Sequence, residues 1–206
     1  MMNIMTLDLS RTLSLLSSMY LCKPSKEALE NWKKLLSEDT PYFLAELKNT
    51  IDEIDLDSER ELEDLLWEYT RLFIGPYKLP CPLWESVYTS PKRLMMQEAY
   101  DDVRAFYAEM GLAINDQNVM YDHIGAELNF LAVLYKNIDD CPEKRFYYEN
   151  LAKRFLVEHI LKWAPQFADD MEKATDTAYY KVLALATKCI IQDLIKNLEL
   201  TAESKN

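Results

Sequence analysis

Apolar residues recur at helical spacing along almost the whole chain, and this pattern predicts an all-α protein. The segment after Ser58 is typical, because Leu62, Leu65, Leu66 and Tyr69 follow the i, i+3, i+4 spacing of one helix face. The same segment opens with a Ser-x-x-Glu capping box, and Asp39-Thr40-Pro41 is a second start signal. The spacing and the start signals together predict about eight to nine helices and no strand.

One stretch in the middle of the chain breaks the helical pattern. It contains Gly75 and three prolines, Pro76, Pro80 and Pro82. A proline lacks the N–H that a helix needs and biases the residue before it away from helical geometry, so the stretch predicts a non-helical connection. The predicted organisation is a single helical domain over 1–206, with N-terminal helices over 1–73, the proline-rich connection over 74–90 and C-terminal helices over 91–200.

This connection is too apolar to be an ordinary linker. Leu79, Leu83, Trp84, Val87 and Tyr88 all fall within it or at its end. Long non-helical segments inside compact domains are usually functional or disordered, and the aromatic content argues against disorder. Two interpretations of the tryptophan and tyrosine remain open: they are buried anchors, or they line a groove for a peptide.

The charge balance narrows the classes of partner. The 206-residue chain carries a formal net charge of −12 at pH 7, and it shows no basic stripe of the kind that nucleic-acid binders use. Eight carboxylates fall between Asp52 and Asp64, against the single cation Arg60. This acidic segment is interpreted either as a solvated corner between two helices or as an attractant for a cationic peptide.

Cysteine usage and hydropathy indicate a cytoplasmic protein. The four cysteines are far apart, with no Cys-x-x-Cys pair and no zinc-ligand spacing. The N-terminus lacks the pattern of an export signal, so we expect reduced thiols. No apolar run approaches the length of a membrane span, and we expect neither membrane insertion nor a metal site.

Catalytic motifs are missing from the sequence. The three glycines, Gly75, Gly111 and Gly125, cannot form a glycine-rich nucleotide loop or a nucleophile elbow. Neither histidine, His123 or His159, belongs to a metal-binding His-Glu-x-x-His motif. We therefore predict a binding protein without a cofactor rather than an enzyme.

Two interpretations of the polar pair Asp122-His123 remain open. Asp122 is most simply a helix N-cap, and His123 a residue of the first helical turn. Alternatively, both line a polar spot in a groove beside the proline-rich connection.

Three ordered segments resemble one known family. LFIGP at 72–76, followed by LPCPLWESVY at 79–88, resembles the signature of the TorD/DmsD type of redox-enzyme maturation chaperone. Asp122-His123 resembles the end of the family's Glu-Pro-x-Asp-His pattern, although Val119 and Met120 stand where Glu and Pro would fall. The segment HILKWAPQF at 159–167 is similar to a third family pattern, H-x-x-x-W-x-P-x-F.

The resemblance implies a function and a set of binding residues. It implies a cytoplasmic chaperone that binds the twin-arginine signal peptide of a molybdenum-cofactor oxidoreductase, assists cofactor loading, and holds back export until the enzyme is mature. The partners are then this signal peptide and the apo-enzyme. The residues carried over to the signal-peptide groove are Leu72, Phe73, Pro82, Trp84, Ser86, Tyr88, Asp122 and His123.

Two other functions and one assembly state remain compatible with the sequence. In the first alternative, the protein is a chaperone whose client is a non-exported subunit that resembles nitrate reductase. In a different class, the protein is a helical small-molecule-binding protein with an aromatic pocket. A proline-containing connection between two helical halves is also compatible with a domain-swapped homodimer.

Overall fold

The computed structural model describes the backbone of residues 4–36, 44–76 and 78–203, and the side chains of 9–36, 44–76 and 78–197. The all-α prediction is confirmed, since these ranges contain helices and no strand. The helices are α1 (Ile4–Leu21), α2 (Lys26–Leu36), α3 (Ala45–Glu53), α4 (Glu59–Phe73), α5 (Glu85–Thr89), α6 (Glu98–Glu109), α7 (Ile124–Asp140), α8 (Arg145–Phe155), α9 (Leu161–Ala174) and α10 (Ala178–Glu203). The start signal predicted at Asp39-Thr40-Pro41 lies outside the described residues.

The chain divides into two compact units. Unit 1 comprises Met1–Leu21, Trp84–Pro165 and Ile190–Asn206, and unit 2 comprises Cys22–Leu83 and Gln166–Cys189. Helices α9 and α10 each contribute residues to both units. The predicted single domain over 1–206 stays a prediction.

Unit 1 is organised around the close packing of α1 on α7. Ser17 Oγ donates a hydrogen bond to the Gly125 carbonyl over 2.7 Å, and Ser10 Oγ donates to the Ala132 carbonyl over 2.9 Å. A Cβ atom at Gly125 would lie 2.6 Å from Leu21 Cγ, so the crossing requires glycine here. This contact fixes the start of α7, where the candidate site lies.

Two helix ends are set by residues close to them in the sequence, and the first is the predicted capping box. Ser58 Oγ accepts a hydrogen bond from the Glu61 amide at the start of α4, as the capping box requires. At the end of α6, Gly111 adopts a φ of 68°. The Gly111 amide donates to Ala108, and the Leu112 amide donates to Tyr107, which is the hydrogen-bond pattern of a Schellman motif.

The proline-rich connection differs from its prediction. It contains the short helix α5, and the next helix begins at Glu98 rather than at position 91. Between the two helices, Arg93 and Met96 have φ values of 52° and 55°. A right-handed helix needs a φ of about −63°, so these left-handed conformations are incompatible with a continuous helix.

Pro165 lies inside a helix and does not end it. Helix α9 continues through Pro165, and the irregularity is a π-helical turn at Leu156–Ile160. The N–H that Pro165 lacks would pair with Leu161, the first residue of α9, so little regular helix is lost.

The core of unit 2 combines aromatic rings in edge-on contact with one buried carboxylate. The Phe73 ring packs edge-on against Tyr69 and Tyr180, with centroids 5.2 and 5.8 Å apart. Glu68 accepts hydrogen bonds from Arg71 and Thr175. Burial works to raise the pKa of Glu68, but these hydrogen bonds outweigh it and lower the pKa below its ordinary value.

No helix in the described part of the chain combines the length and apolar character that crossing a membrane requires.

Candidate functional site

The start of α5 is capped by a residue from a distant part of the chain. Trp84 occupies the N-cap position, where its indole cannot accept a hydrogen bond from the first helical amides. Asp122 supplies both acceptors instead: its carbonyl accepts from the Glu85 amide over 2.9 Å, and its Oδ2 accepts from the Ser86 amide over 3.1 Å. The aspartate therefore holds the Trp84–Tyr88 segment in place.

His123, rather than Asp122, is the N-cap of α7. Its Nδ1 accepts a hydrogen bond from the Gly125 amide over 3.0 Å, which leaves the ring proton on Nε2. The ring also packs edge-on against Trp84, with centroids 6.0 Å apart. Burial lowers the pKa of His123 to about 4, so the imidazole is neutral at physiological pH.

Ser86 connects the loop after α5 to the corner formed by Trp84, Asp122 and His123. Its hydroxyl accepts a hydrogen bond from the Gln97 amide over 3.1 Å, directly after the left-handed residue Met96. Arg93, the other left-handed residue, places its guanidinium 5.9 Å from the centre of the Tyr88 ring, within cation–π range. The loop between α5 and α6 is thereby folded back on the candidate site.

Beneath this corner lie two carboxylates that the sequence analysis did not assign. Glu85 Oε2 lies 2.8 Å from His159 Nδ1, and Glu127 Oε2 accepts a hydrogen bond from Trp163 Nε1 over 3.0 Å. All four side chains are buried. The rings of Tyr88 and Trp163 pack together with centroids 5.3 Å apart, so Glu127 supports an aromatic ring of the predicted groove through Trp163.

Burial gives two of these acids unusual proton affinities. It raises the pKa of Glu127 well above its ordinary value, and the neighbouring charge of Glu85 adds to the effect. Burial also raises the pKa of Asp122, against the opposing effect of its hydrogen bonds with Ser86. Asp122 Oδ1 and Glu127 Oε1 have no hydrogen-bond partner among the described residues. A neutral, protonated Glu127 is the form that this crowded acidic layer favours.

The π-helical turn explains why His159 reaches Glu85. Leu151, Phe155, His159 and Trp163 are all buried and follow one another at intervals of four residues. A regular α-helix would rotate this series by about 40° at each step, since it has about 3.6 residues per turn. The wider turn at Leu156–Ile160 absorbs part of this rotation and keeps the histidine facing the core.

Five of the eight predicted site residues are brought together in unit 1. Trp84, Ser86, Tyr88, Asp122 and His123 form the corner described above, and only the tryptophan and tyrosine are partly exposed. The remaining three predicted residues belong to unit 2, where all are buried: Leu72, Phe73 and Pro82. The assignment of these eight residues to a signal-peptide groove stays a prediction.

Sequence reasoning missed Glu85, Glu127 and the role of His159. The available signal was the i, i+4 spacing of His159 and Trp163, which places an imidazole and an indole N–H on one helix face. Two glutamates embedded in apolar segments, ESVY and GAELNFL, then become candidate acceptors. No described group of three or more His, Cys, Asp or Glu residues is arranged to hold a metal ion.

A sequence profile described as "Nitrate reductase delta subunit" matches residues 33–169, about two thirds of the chain, and this range includes all eight predicted site residues. The chain belongs to the nitrate reductase delta subunit family. Curated relatives confirm the resemblance of the chain to TorD/DmsD-type chaperones. The chain is 32% identical over 126 residues to the "Probable Tat proofreading chaperone DmsD" of Haemophilus influenzae, covering 61% of this chain and 57% of that protein.

A second curated relative and a solved structure add to these comparisons, the structure for the fold alone. The chain is 25% identical over 136 residues to the "Chaperone protein TorD" of Photobacterium profundum, covering 65% of this chain and 62% of the relative. A crystal structure of a "putative redox enzyme maturation protein" from Archaeoglobus fulgidus shares the fold, with a TM-score of 0.63, 22% identity, and coverage of 90% of this chain and 93% of that one. The matched segment spans little more than half the length of the DmsD relatives.

Proposed function

We propose that this protein is a chaperone, and not an enzyme, that binds the twin-arginine signal peptide of a molybdenum-cofactor oxidoreductase in the cytoplasm. It assists cofactor loading in the apo-enzyme and holds back export until the client is mature. The observation that carries the proposal is membership of a family whose curated relatives are named Tat proofreading chaperones. Family members with these names act on other proteins, which favours a binding role over catalysis.

The geometry of unit 1 supports a division of labour within the proposed groove. Trp84 and Tyr88 are partly exposed and offer the ring surface that an apolar peptide segment can contact. Asp122 and His123 are buried and hold the α5 and α7 helix starts. We therefore assign direct peptide contact to the two rings and structural support to the Asp-His pair.

A second candidate client is a non-exported subunit related to nitrate reductase. The description of the family profile names that enzyme, which is the observation that favours this candidate. Such a client would be recognised without a twin-arginine leader, so the presence of the leader separates the two proposals.

The test is capture of the client with and without its leader. Affinity-tagged protein is purified from its native host, and bound proteins are identified by mass spectrometry. We expect a molybdenum oxidoreductase precursor, and we expect its recovery to fall by at least about tenfold when the leader is deleted from its gene. Equal recovery of the leaderless client would contradict signal-peptide binding and favour the second candidate.

A further inference from the structure

The outward face of α4 carries apolar side chains that a solvent-facing helix rarely exposes together. The helix buries Leu65, Tyr69 and Leu72 on its inward face. On the opposite face Trp67 is 65% exposed, and Ile74 at the helix C-cap is 48% exposed. These two residues are seven positions apart, close to two helical turns, so they share one line along the helix. Arg71, one turn after Trp67, lies between them and pairs with the buried Glu68, so the two apolar side chains are a candidate contact surface and not a continuous apolar patch.

Carboxylates occupy the other end of the same face. Glu63 lies one turn before Trp67, and Glu59 lies one turn before Glu63. Both glutamates are exposed, and no cation among the described residues lies within ion-pair distance of either. The surface therefore changes from acidic to apolar along its length.

A shallow cavity adjoins the acidic end of this face. It has a volume of about 270 Å³ and lies where the end of α3, the start of α4 and the start of α10 meet within unit 2. Glu53, Glu61 and Asp64 contribute carboxylates to its lining, and Leu65 and Ile54 contribute apolar surface. This lining suits a long cationic side chain, whose aliphatic stem packs on apolar groups while its charged head meets carboxylates.

Asp64 connects the cavity to the exposed row. It lines the cavity and lies three positions before Trp67, so the two side chains are neighbours on the helix surface. Its ion pair with Arg60 is long, at 3.9 Å, and both side chains are largely exposed. Such a pair contributes little stability, so Asp64 is available to an incoming cation.

We propose that the α4 face formed by Glu63, Trp67 and Ile74, with the adjoining acidic cavity, is a docking surface for a client leader segment in which a cationic residue is followed by apolar ones. This inference rests on the proposed function and adds a second contact surface to it. Charge complementarity selects the occupant, because a cationic segment is attracted to the carboxylate end and an anionic membrane surface is repelled by it.

The spacing along α4 limits the sequence of the occupant. Trp67 lies about 6 Å along the helix axis from Glu63, and Ile74 lies about 16 Å from it, at about 1.5 Å per residue. An extended peptide advances about 3.3 Å per residue. The apolar side chains are therefore expected about two and about five residues from the cationic one.

The test measures binding of a fluorescently labelled synthetic twin-arginine leader peptide by anisotropy. We expect Trp67→Ala to weaken binding about tenfold. Phe146→Ala is the matched control, because Phe146 is also 65% exposed but lies on α8 in unit 1, and its affinity is expected to equal that of the wild type. Both positions are exposed, so the variants keep the wild-type circular dichroism spectrum.

A double-mutant cycle tests the cationic end separately. Asp64→Asn in the protein and Arg→Gln in the peptide are expected to weaken binding less in combination than the sum of their separate effects, because each removes the same contact. Loss of the effect of Asp64→Asn at high salt would support the same contact.

Three outcomes would overturn the inference, and they are distinguishable. If the wild type binds the leader and both Trp67→Ala and Asp64→Asn bind equally well, the second surface is refuted while the proposed function stands. If Trp67→Ala changes only the sedimentation of the protein, the face is an interface between two copies. If the wild type binds no leader peptide, the proposed function fails and this inference fails with it.

Discussion

Replacing Glu85 with alanine is expected to lower the free energy of unfolding by about 3 kcal/mol, because the change leaves a buried imidazole nitrogen without its partner. His159 Nδ1 lies 2.8 Å from Glu85 Oε2, and both side chains are buried. Removing the glutamate also relieves the repulsion that raises the pKa of Glu127, so the loss lies at the lower end of the range for broken buried pairs. Urea denaturation followed by circular dichroism measures the change.

Two control variants distinguish the loss of the Glu85–His159 pair from the general effect of substituting a glutamate. Glu85→Gln keeps a hydrogen-bond acceptor beside His159 and is expected to cost less than Glu85→Ala. Glu109→Ala breaks a surface ion pair with Arg154, whose atoms lie 3.5 Å apart in the same unit, and is expected to cost less than about 1 kcal/mol. If Glu85→Ala costs no more than Glu109→Ala, the buried pair does not stabilise unit 1.

As the pH falls from 6.5 to 4, His123 is expected to lower the free energy of unfolding of the wild type by about 3 kcal/mol. Replacing His123 with asparagine is expected to remove this loss. The pKa of His123 is about 4 in the folded protein, against a reference value of 6.5. Between these two values the unfolded chain binds the proton and the folded protein does not. Stability therefore falls as the pH is lowered from 6.5 to 4, and it stops falling below that range.

Asparagine is the suitable replacement because its side chain can still cap α7, while it has no proton to titrate in this range. Asp122 and Glu127, whose pKa values are raised, contribute a slope of the opposite sign, with stability lost as the pH rises. The informative quantity is accordingly the difference between the curves of wild type and His123→Asn, measured by urea denaturation at several pH values. Parallel curves would show that His123 is not held neutral by burial.

Helix ends can be predicted from the sequence wherever the signal is local. Ser58 caps α4 through its own neighbour Glu61, and Gly111 ends α6 through contacts with the residues just before it. Helix α5 could not be predicted in the same way. Its cap is Asp122, which lies far away in the sequence, and Trp84 at its N-cap position gives no start signal. The proline content of the connection also pointed away from a helix there.

The aromatic part of the candidate site was predictable, whereas the sequence signals of its buried acidic support are indirect. Trp84 and Tyr88 stood out as rings in a non-helical segment, and Asp122-His123 stood out beside a helix start. Glu127 looked like an ordinary helical glutamate, because nothing near it in the sequence shows that Trp163 donates to it. The position of His159 depends on a π-helical turn, which standard helix periodicity does not predict.

We propose that the Trp84–Tyr88 segment binds a twin-arginine leader, and the decisive experiment is calorimetric titration of Trp84→Ala with a synthetic leader peptide. Trp84 is partly exposed, so the variant is expected to retain the wild-type circular dichroism spectrum. We expect Trp84→Ala to bind the peptide at least about tenfold more weakly than the wild type, and Phe146→Ala to bind it as the wild type does. Equal affinities for wild type and a folded Trp84→Ala variant would contradict it.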